Sequence, residues 1–352
     1  MSELAEAFAG TTAVRTGFEL DADALATWMA ANVGDFTGPL TIEQFKGGQS
    51  NPTYKLVTPG RRYVLRRKPS GVLLKGAHAV EREAKVMEAL GMVGFPVPRV
   101  HGLCTDDAVI GSWFYVMDMV DGRIFWDAAV PDVPARERAG IFDAMNDTIA
   151  RLHQVDHTGI GLGDFGRPGS YFERQIGRWS KQYHDDADAG RDPAMDRLID
   201  WLQTHVPAGD ETAIVHGDFR IDNMIFHATE PRVIAVLDWE LSTLGAPLAD
   251  FANHAIMYHM PPHIVAGLGG KPLPEGVPSE ADYIARYCAR TGRAAIPNYG
   301  FYIAFNFFRM AAIFHGIKGR AIRGTASSAQ AGERGRHFPE LARLGARAAG
   351  IL

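Results

Sequence analysis

The stretch IVHGDFRIDNMIF (214–226) sets two short apolar runs, Ile214-Val215 and Met224-Ile225-Phe226, around a polar octet. The octet holds one histidine, two aspartates, an arginine and an asparagine. An ordinary surface loop has no need for so much charge between strand-like segments. The pattern His216-x-Asp218-x4-Asn223 is followed by Asp238, at the end of the strand-like VIAVLDW (233–239). An acid, an amide and a second acid therefore stand on adjoining short strands. Phosphoryl transfer from ATP needs a carboxylate to receive a hydroxyl proton and oxygen ligands for Mg²⁺. Asp218 suits the first task, and Asn223 and Asp238 the second. Arg220 carries a charge suited to the negative charge that develops on a transferred phosphoryl group.

Composition narrows the setting of that octet. The 352 residues are 46% hydrophobic and 22% charged, with a net charge of −5, the profile of a soluble globular chain. No basic domain or stacking motif points to nucleic acid. The opening MSELAEAFAG lacks an apolar h-region, so no secretory signal is expected. Cys104 and Cys288 form no CxxC pair, and a reducing cytoplasm is the expected location. The apolar run YGFYIAFNFFRMAAIFHG (299–316) falls short of the roughly 20 residues a membrane span needs and holds Asn306 and Arg309 near its middle. It reads as a buried core helix, and no membrane association is expected.

The periodicities change character along the chain. Residues 21–33 read as a helix capped by Asp21 or Asp23, and 40–46, 53–58 and 61–68 as strands. HAVEREAKVMEAL (78–90) reads as an amphipathic helix ending at Gly91, FPVPRV (95–100) as extended, and SWFYVMDMV (112–120) as a strand. Helices are then expected near 134–155, 171–184, 193–205, 246–259, 279–291 and 299–318. This order implies an α+β chain of two lobes: a nucleotide-binding lobe over 1–118, with an antiparallel sheet and one main helix, and a mostly helical catalytic and substrate lobe over 119–352.

HGDFRIDN (216–223) with LDWE (237–240) resembles the catalytic loop and metal-binding aspartate of the aminoglycoside phosphotransferase and choline-kinase-like family, whose fold is protein-kinase-like. The resemblance runs from about Phe45 to Ser327. It is closest to the subgroup fused to acyl-CoA dehydrogenases, through YVLRRKPSG (63–71), STLGAPLADFA (242–252) and PNYGFYIAFNFFRMAAIFHGIKGRA (297–321). It implies ATP and Mg²⁺ as cofactors and a small-molecule acceptor. FKGGQSNPTYKL (45–56) stands in the glycine-rich-loop position, so Gly47, Gly48, Ser50 and Asn51 are expected near the phosphates, although a full GxGxxG is missing. Arg66 occupies the column of the strand lysine, with Lys68 as the fallback on the same face and Val64 as a lid over adenine. A solvated basic edge strand is the alternative for this segment. Glu83 matches the helix glutamate that pairs with the strand cation, and Met117-Asp118-Met119 matches the hinge that meets adenine.

Other residues invite plainer readings. His153 reads as a satisfied core histidine, and His216 as a group that orients the loop. The family resemblance implies that Asp250 caps or braces the catalytic loop. The spacing of His254, His259 and His263 matches no common metal motif. Two rival functions stay open: a non-catalytic nucleotide-binding pseudokinase, and a metallohydrolase with His216, Asp218 and Asp238 as ligands. The acceptor is addressed by charge. Between Arg286 and Arg347 stand eleven Lys or Arg and only two acids, Glu333 and Glu340. Arg309, inside an apolar helix, needs a partner, either a carboxylate such as Asp250 or an anionic group on the acceptor. A hydroxy acid or hydroxyacyl thioester is the expected acceptor, with an aminoglycoside or other amino alcohol as the alternative.

Overall fold

A computed structural model describes residues 9–47, 51–69, 78–209, 211–325 and 331–352. The chain divides into two compact units. The first comprises Met1–Pro134, Asp156–Phe165 and Arg220–Ser242, and the second Ala135–Val155, Gly166–Phe219 and Thr243–Leu352.

The first unit is built on an antiparallel sheet of six strands: β1 (Thr11–Thr12), β2 (Thr41–Phe45), β3 (Thr53–Val57), β4 (Arg62–Arg67), β5 (Val100–Cys104) and β6 (Phe114–Asp118). Their spatial order is β1-β2-β3-β4-β6-β5. Period-2 alternation sends Tyr54, Leu56, Tyr63, Leu65, Phe114 and Val116 to one face, where they pack on Leu25 and Met29 of helix α1 (Ala22–Asn32). Each such side chain contributes roughly 1.5–3 kcal/mol by leaving water. The opposite face therefore carries Val64, Arg66, Tyr115 and Met117. Asp21 caps α1 by accepting from the amides of Asp23 and Ala24.

The edge-strand reading of residues 61–68 is overturned. β4 is flanked by β3 and β6, and Arg67 is buried, with Nη1 donating to Ile110 O at 3.3 Å. The helix α2 (Val80–Met92) also runs past the expected stop at Gly91. Gly94, with φ of 70°, supplies the left-handed residue, and the Phe95 amide closes back on Leu90 O at 3.1 Å. β5, read only as extended chain to Val100, carries a register shift between Val100 and Gly102 that hides its period. A Cβ on Gly102 would stand 3.0 Å from the Trp28 ring, so glycine lets α1 pack closely on β5. A short helix α3 (Asp107–Ile110) precedes β6.

The second unit is helical: α4 (Ala135–His153), α5 (Tyr171–Asp185), α6 (Pro193–Thr204), α7 (Pro247–Ala255), α8 (Pro262–Val265), α9 (Glu280–Thr291), α10 (Tyr299–Ile322), α11 (Ala331–Arg336) and α12 (Phe338–Ala348). α7 stops at Ala255 and tightens into a 3-10 turn over Ile256–Tyr258, where one longer helix was expected. The apolar α10 is the core helix expected, packed by α5, α6, α7 and α12. α12 comes from a segment given no expected structure; it buries Phe338, Leu341, Ala342 and Ala346. Among the described residues no helix is long and apolar enough to cross a membrane.

Candidate active site

Arg66 is the centre of a buried charge cluster in the first unit. Its Nε lies 3.0 Å from Glu83 Oε2, and its Nη2 lies 2.6 Å from Asp238 Oδ1 and 3.2 Å from Glu240 Oε2. Antiparallel register sets Arg66 opposite Thr53 on one side and Tyr115 on the other, which turns its side chain toward α2. Glu83, on α2, also accepts from Asn51 Nδ2 at 2.8 Å and from the Tyr115 hydroxyl at 3.1 Å. Burial pushes the Glu83 carboxyl up to about 7; Arg66 opposes that rise, and Asp238 and Glu240 add to it. Burial works against the Arg66 charge, yet Asp238 and Glu83 raise its pKa further. Lys68 is engaged elsewhere, 2.8 Å from Glu81 and over the Trp113 ring at 4.0 Å.

The hairpin Met224–Phe226 with Val233–Val236 places the two expected metal ligands side by side. Met224 pairs with Val236, and the Leu237 amide donates to Asn223 O at 2.8 Å, so Asn223 and Asp238 flank one end of the hairpin. Asp238 adopts φ 64° and ψ 60°, a left-handed conformation rare for a non-glycine residue and typical of sites held by their surroundings. Arg220 is held by Asp222, with Nε 3.0 Å from Oδ1.

A cavity of about 620 Å³ opens in this unit beside the cluster. Its wall includes Gly47, Val64, Arg66, Met117, Asp118, Met119, Asn223 and Asp238 among the residues expected from the sequence. Gly48 and Ser50 lie outside the described residues. Asn51 is buried behind the wall, where its Oδ1 meets His78 Nδ1 at 2.9 Å. Asp118 accepts from Arg61 at 2.8 Å and contacts His101 Nε2 at 2.7 Å.

The loop that carries Asp218 belongs to the second unit, and its backbone is fixed there from both sides. Buried Asp250, on α7, accepts from the amides of His216 and Gly217, each at 2.8 Å, and lies 3.3 Å from His153 Nε2. Burial works against the Asp250 charge, but His153 and the His216 amide hold its carboxyl below the ordinary range. Gly217 sits at φ 83°, open to glycine at little cost. Its carbonyl accepts from Arg309 Nη2 at 2.6 Å, and the same nitrogen donates to Asn253 Oδ1 at 3.0 Å. The Asp218 amide donates to His216 Nδ1 at 3.2 Å. Arg309 thus meets a backbone carbonyl, a partner not among those weighed from the sequence.

The Phosphotransferase enzyme family model matches residues 41–296. The chain belongs to this phosphotransferase family. It is 49% identical to a protein of known crystal structure from Ralstonia eutropha that is named for the aminoglycoside phosphotransferases, with a TM-score of 0.87 over 94% of this chain and 99% of that one. Choline kinase from Cryptosporidium parvum shares the fold at 12% identity, with a TM-score of 0.63 over 94% of this chain and 98% of that one. Acyl-CoA dehydrogenase family member 10 of Mus musculus is 44% identical over 95% of this chain and 32% of its own length. Probable acyl-CoA dehydrogenase IBR3 of Arabidopsis thaliana is 44% identical over 93% of this chain and 42% of its own length. The chain thus spans well under half of these curated relatives. The α+β, protein-kinase-like fold class and the likeness to the dehydrogenase-fused subgroup stand as expected.

Within this phosphotransferase chain, sequence reading missed Glu240, Tyr115 and Asp222 as members of the site. Glu240 had a signal, since it stands two residues past Asp238 in LDWE, as had Asp222 inside the octet. Part of the basic excess over 286–347 is paired with acids from elsewhere in the chain. Arg286 and Arg290 bind Asp143, Arg293 binds Glu211, and Arg323 binds Asp186 and Asp188, all acids outside that segment.

Proposed function

We propose that this chain transfers the γ-phosphate of ATP to a hydroxyl group of a small molecule, with Asp218 receiving the hydroxyl proton. The observation that carries the reading is the cluster of Arg66, Glu83 and Asp238 at the wall of a cavity also lined by Asn223 and the Met117–Met119 strand end. The cavity has room for a nucleotide, with Val64 on its wall to cover the base and the backbone of residues 117–119 to meet its edge. Arg66, oriented by Glu83, binds phosphate oxygens. Asn223 and Asp238 fit Mg²⁺, being a neutral and an anionic oxygen donor held at one hairpin end. When bound, the metal neutralises charge on the phosphates. Asp250 and Arg309 hold the Gly217 peptide, so Asp218 is presented from a fixed backbone and little reorganisation is left for the reaction itself. Arg220, poised against Asp222, adds positive charge for the transferred group.

For the acceptor, a hydroxy acid or hydroxyacyl thioester is the reading favoured by the relatives, which are named as acyl-CoA dehydrogenases. A second reading, an amino-alcohol acceptor, is favoured by Asp121, Asp127 and Asp132 on the cavity wall. An ATP-consumption screen of hydroxy acids and their coenzyme A thioesters against aminoglycosides and choline separates the two. Turnover with hydroxy acids or their thioesters alone supports the first. Efficient turnover of amines, with hydroxy acids inert, removes it and leaves the kinase chemistry standing. Failure of every acceptor together with undetectable ATP binding removes both.

A further inference from the structure

The three histidines whose spacing matches no metal motif are sent to three different places. Buried His254 donates from Nδ1 to Phe219 O at 2.9 Å. His259 Nε2 meets Glu280 Oε1 at 2.7 Å. His263, exposed on the short helix α8, instead reaches the start of α12, where its Nε2 lies 3.0 Å from Glu340 Oε2. His337 Nδ1 lies 3.8 Å from that same carboxylate oxygen, and its ring centroid stands 5.5 Å from that of His263. The three donor atoms all lie within 4.8 Å of one another.

Two of the three separations lie close to what a small tetrahedral cation requires. Zinc binds imidazole nitrogen and carboxylate oxygen at about 2.0–2.2 Å, which sets neighbouring donors of a tetrahedron about 3.3 Å apart. The 3.0 and 3.8 Å separations bracket this value. His337 and Glu340 stand at i and i+3 across the start of α12, hence on one face, and exposed His263 reaches the same carboxylate oxygen from α8. Two imidazoles with one carboxylate suit zinc and its transition-metal neighbours, whereas Mg²⁺ prefers oxygen donors. Helix spacing brings His337 to Glu340, and His263 reaches the same oxygen from a separate element 77 residues away in sequence. We propose that His263, His337 and Glu340 form a zinc-class cation site, with a fourth position open to water, that ties α8 to α12. It is separate from the residues assigned above to nucleotide and Mg²⁺.

The test uses the full chain without a histidine tag, stripped with chelator and titrated with Zn²⁺ by calorimetry. The expected result is one Zn²⁺ per chain at micromolar concentration, no displacement by millimolar Mg²⁺, and a higher unfolding temperature with zinc. His263→Gln and Glu340→Gln should each weaken binding by roughly 10- to 100-fold. Circular dichroism checks that each variant is folded, and exposed His263 is the safer position. Asp238→Asn should leave this binding unchanged, which separates it from zinc held at the proposed Mg²⁺ ligands. Absence of zinc binding below about 100 µM, a scale set by ordinary affinity arithmetic, overturns the proposal. So does undiminished binding in folded His263→Gln and Glu340→Gln.

Discussion

Arg66 Nη2 stands 2.6 Å from Asp238 Oδ1, a contact that joins positions 172 residues apart. The same guanidinium holds Glu83 with its Nε, so one cation organises both the helix carboxylate and the proposed metal-binding carboxylate. Two separate nitrogens of a planar fork are in use at once, which lysine's single ammonium cannot reproduce. Arg66→Lys should therefore weaken ATP binding nearly as much as Arg66→Ala, and Lys68→Ala should weaken it less than either. Calorimetric titration with Mg-ATP checks the ranking. A larger loss for Lys68→Ala would put the clamp on the wrong residue.

Asp218 and Asp238 should separate kinetically. Asp218→Asn removes the proposed proton acceptor and should cut turnover by about 10²-fold or more while sparing ATP affinity. Asp238→Asn should lower both. Steady-state kinetics beside binding measurements distinguish the two, and equal loss of ATP affinity in both variants would contradict the assignment.

Arg309 and Asp250 act on opposite sides of the Gly217 peptide, and their loss should show differently. Arg309→Ala should reduce kcat with little change in the KM for ATP, because it frees a loop carbonyl without touching the cavity wall. Asp250→Ala removes a buried acceptor of two amides and should cost about 3 kcal/mol or more of stability in urea unfolding. An Arg309→Ala enzyme altered only in its KM for ATP would disprove the positioning role.

His254 should make the fold acid-sensitive. Burial lowers its pKa to about 4 from 6.5, against the Phe219 carbonyl bond that favours the proton. Below pH 6.5 the unfolded chain binds a proton that the native chain refuses, so stability falls as pH drops from 6.5 toward 4. The full shift corresponds to about 3 kcal/mol. His254→Gln should flatten urea midpoints over that window, whatever its effect at pH 7. An unchanged slope would assign the acid sensitivity to other groups.

The octet and Asp238 were legible because their residue types are costly to place between apolar strands without a task. Arg66 and Glu83 were legible through family resemblance and strand alternation. What stayed hidden depends on partners that leave no trace in local sequence. The acceptor for Arg309 is a backbone carbonyl, which every residue carries. Part of the basic excess of 286–347 is offset by Asp143, Asp186, Asp188 and Glu211, which a sum over one segment does not see. β5 was obscured by its register shift, and α12 by a run of small and basic residues whose apolar face shows only once α10 lies against it.

The central claim is that Asn223 and Asp238 bring Mg²⁺ to ATP held by Arg66. It is tested most directly by calorimetric titration of ATP into the wild-type chain, with Mg²⁺ and with EDTA, beside Asp238→Asn. The account predicts ATP binding that strengthens clearly with Mg²⁺ in the wild type and loses that dependence in Asp238→Asn. Absence of Mg²⁺-dependent ATP binding to the wild type would contradict it.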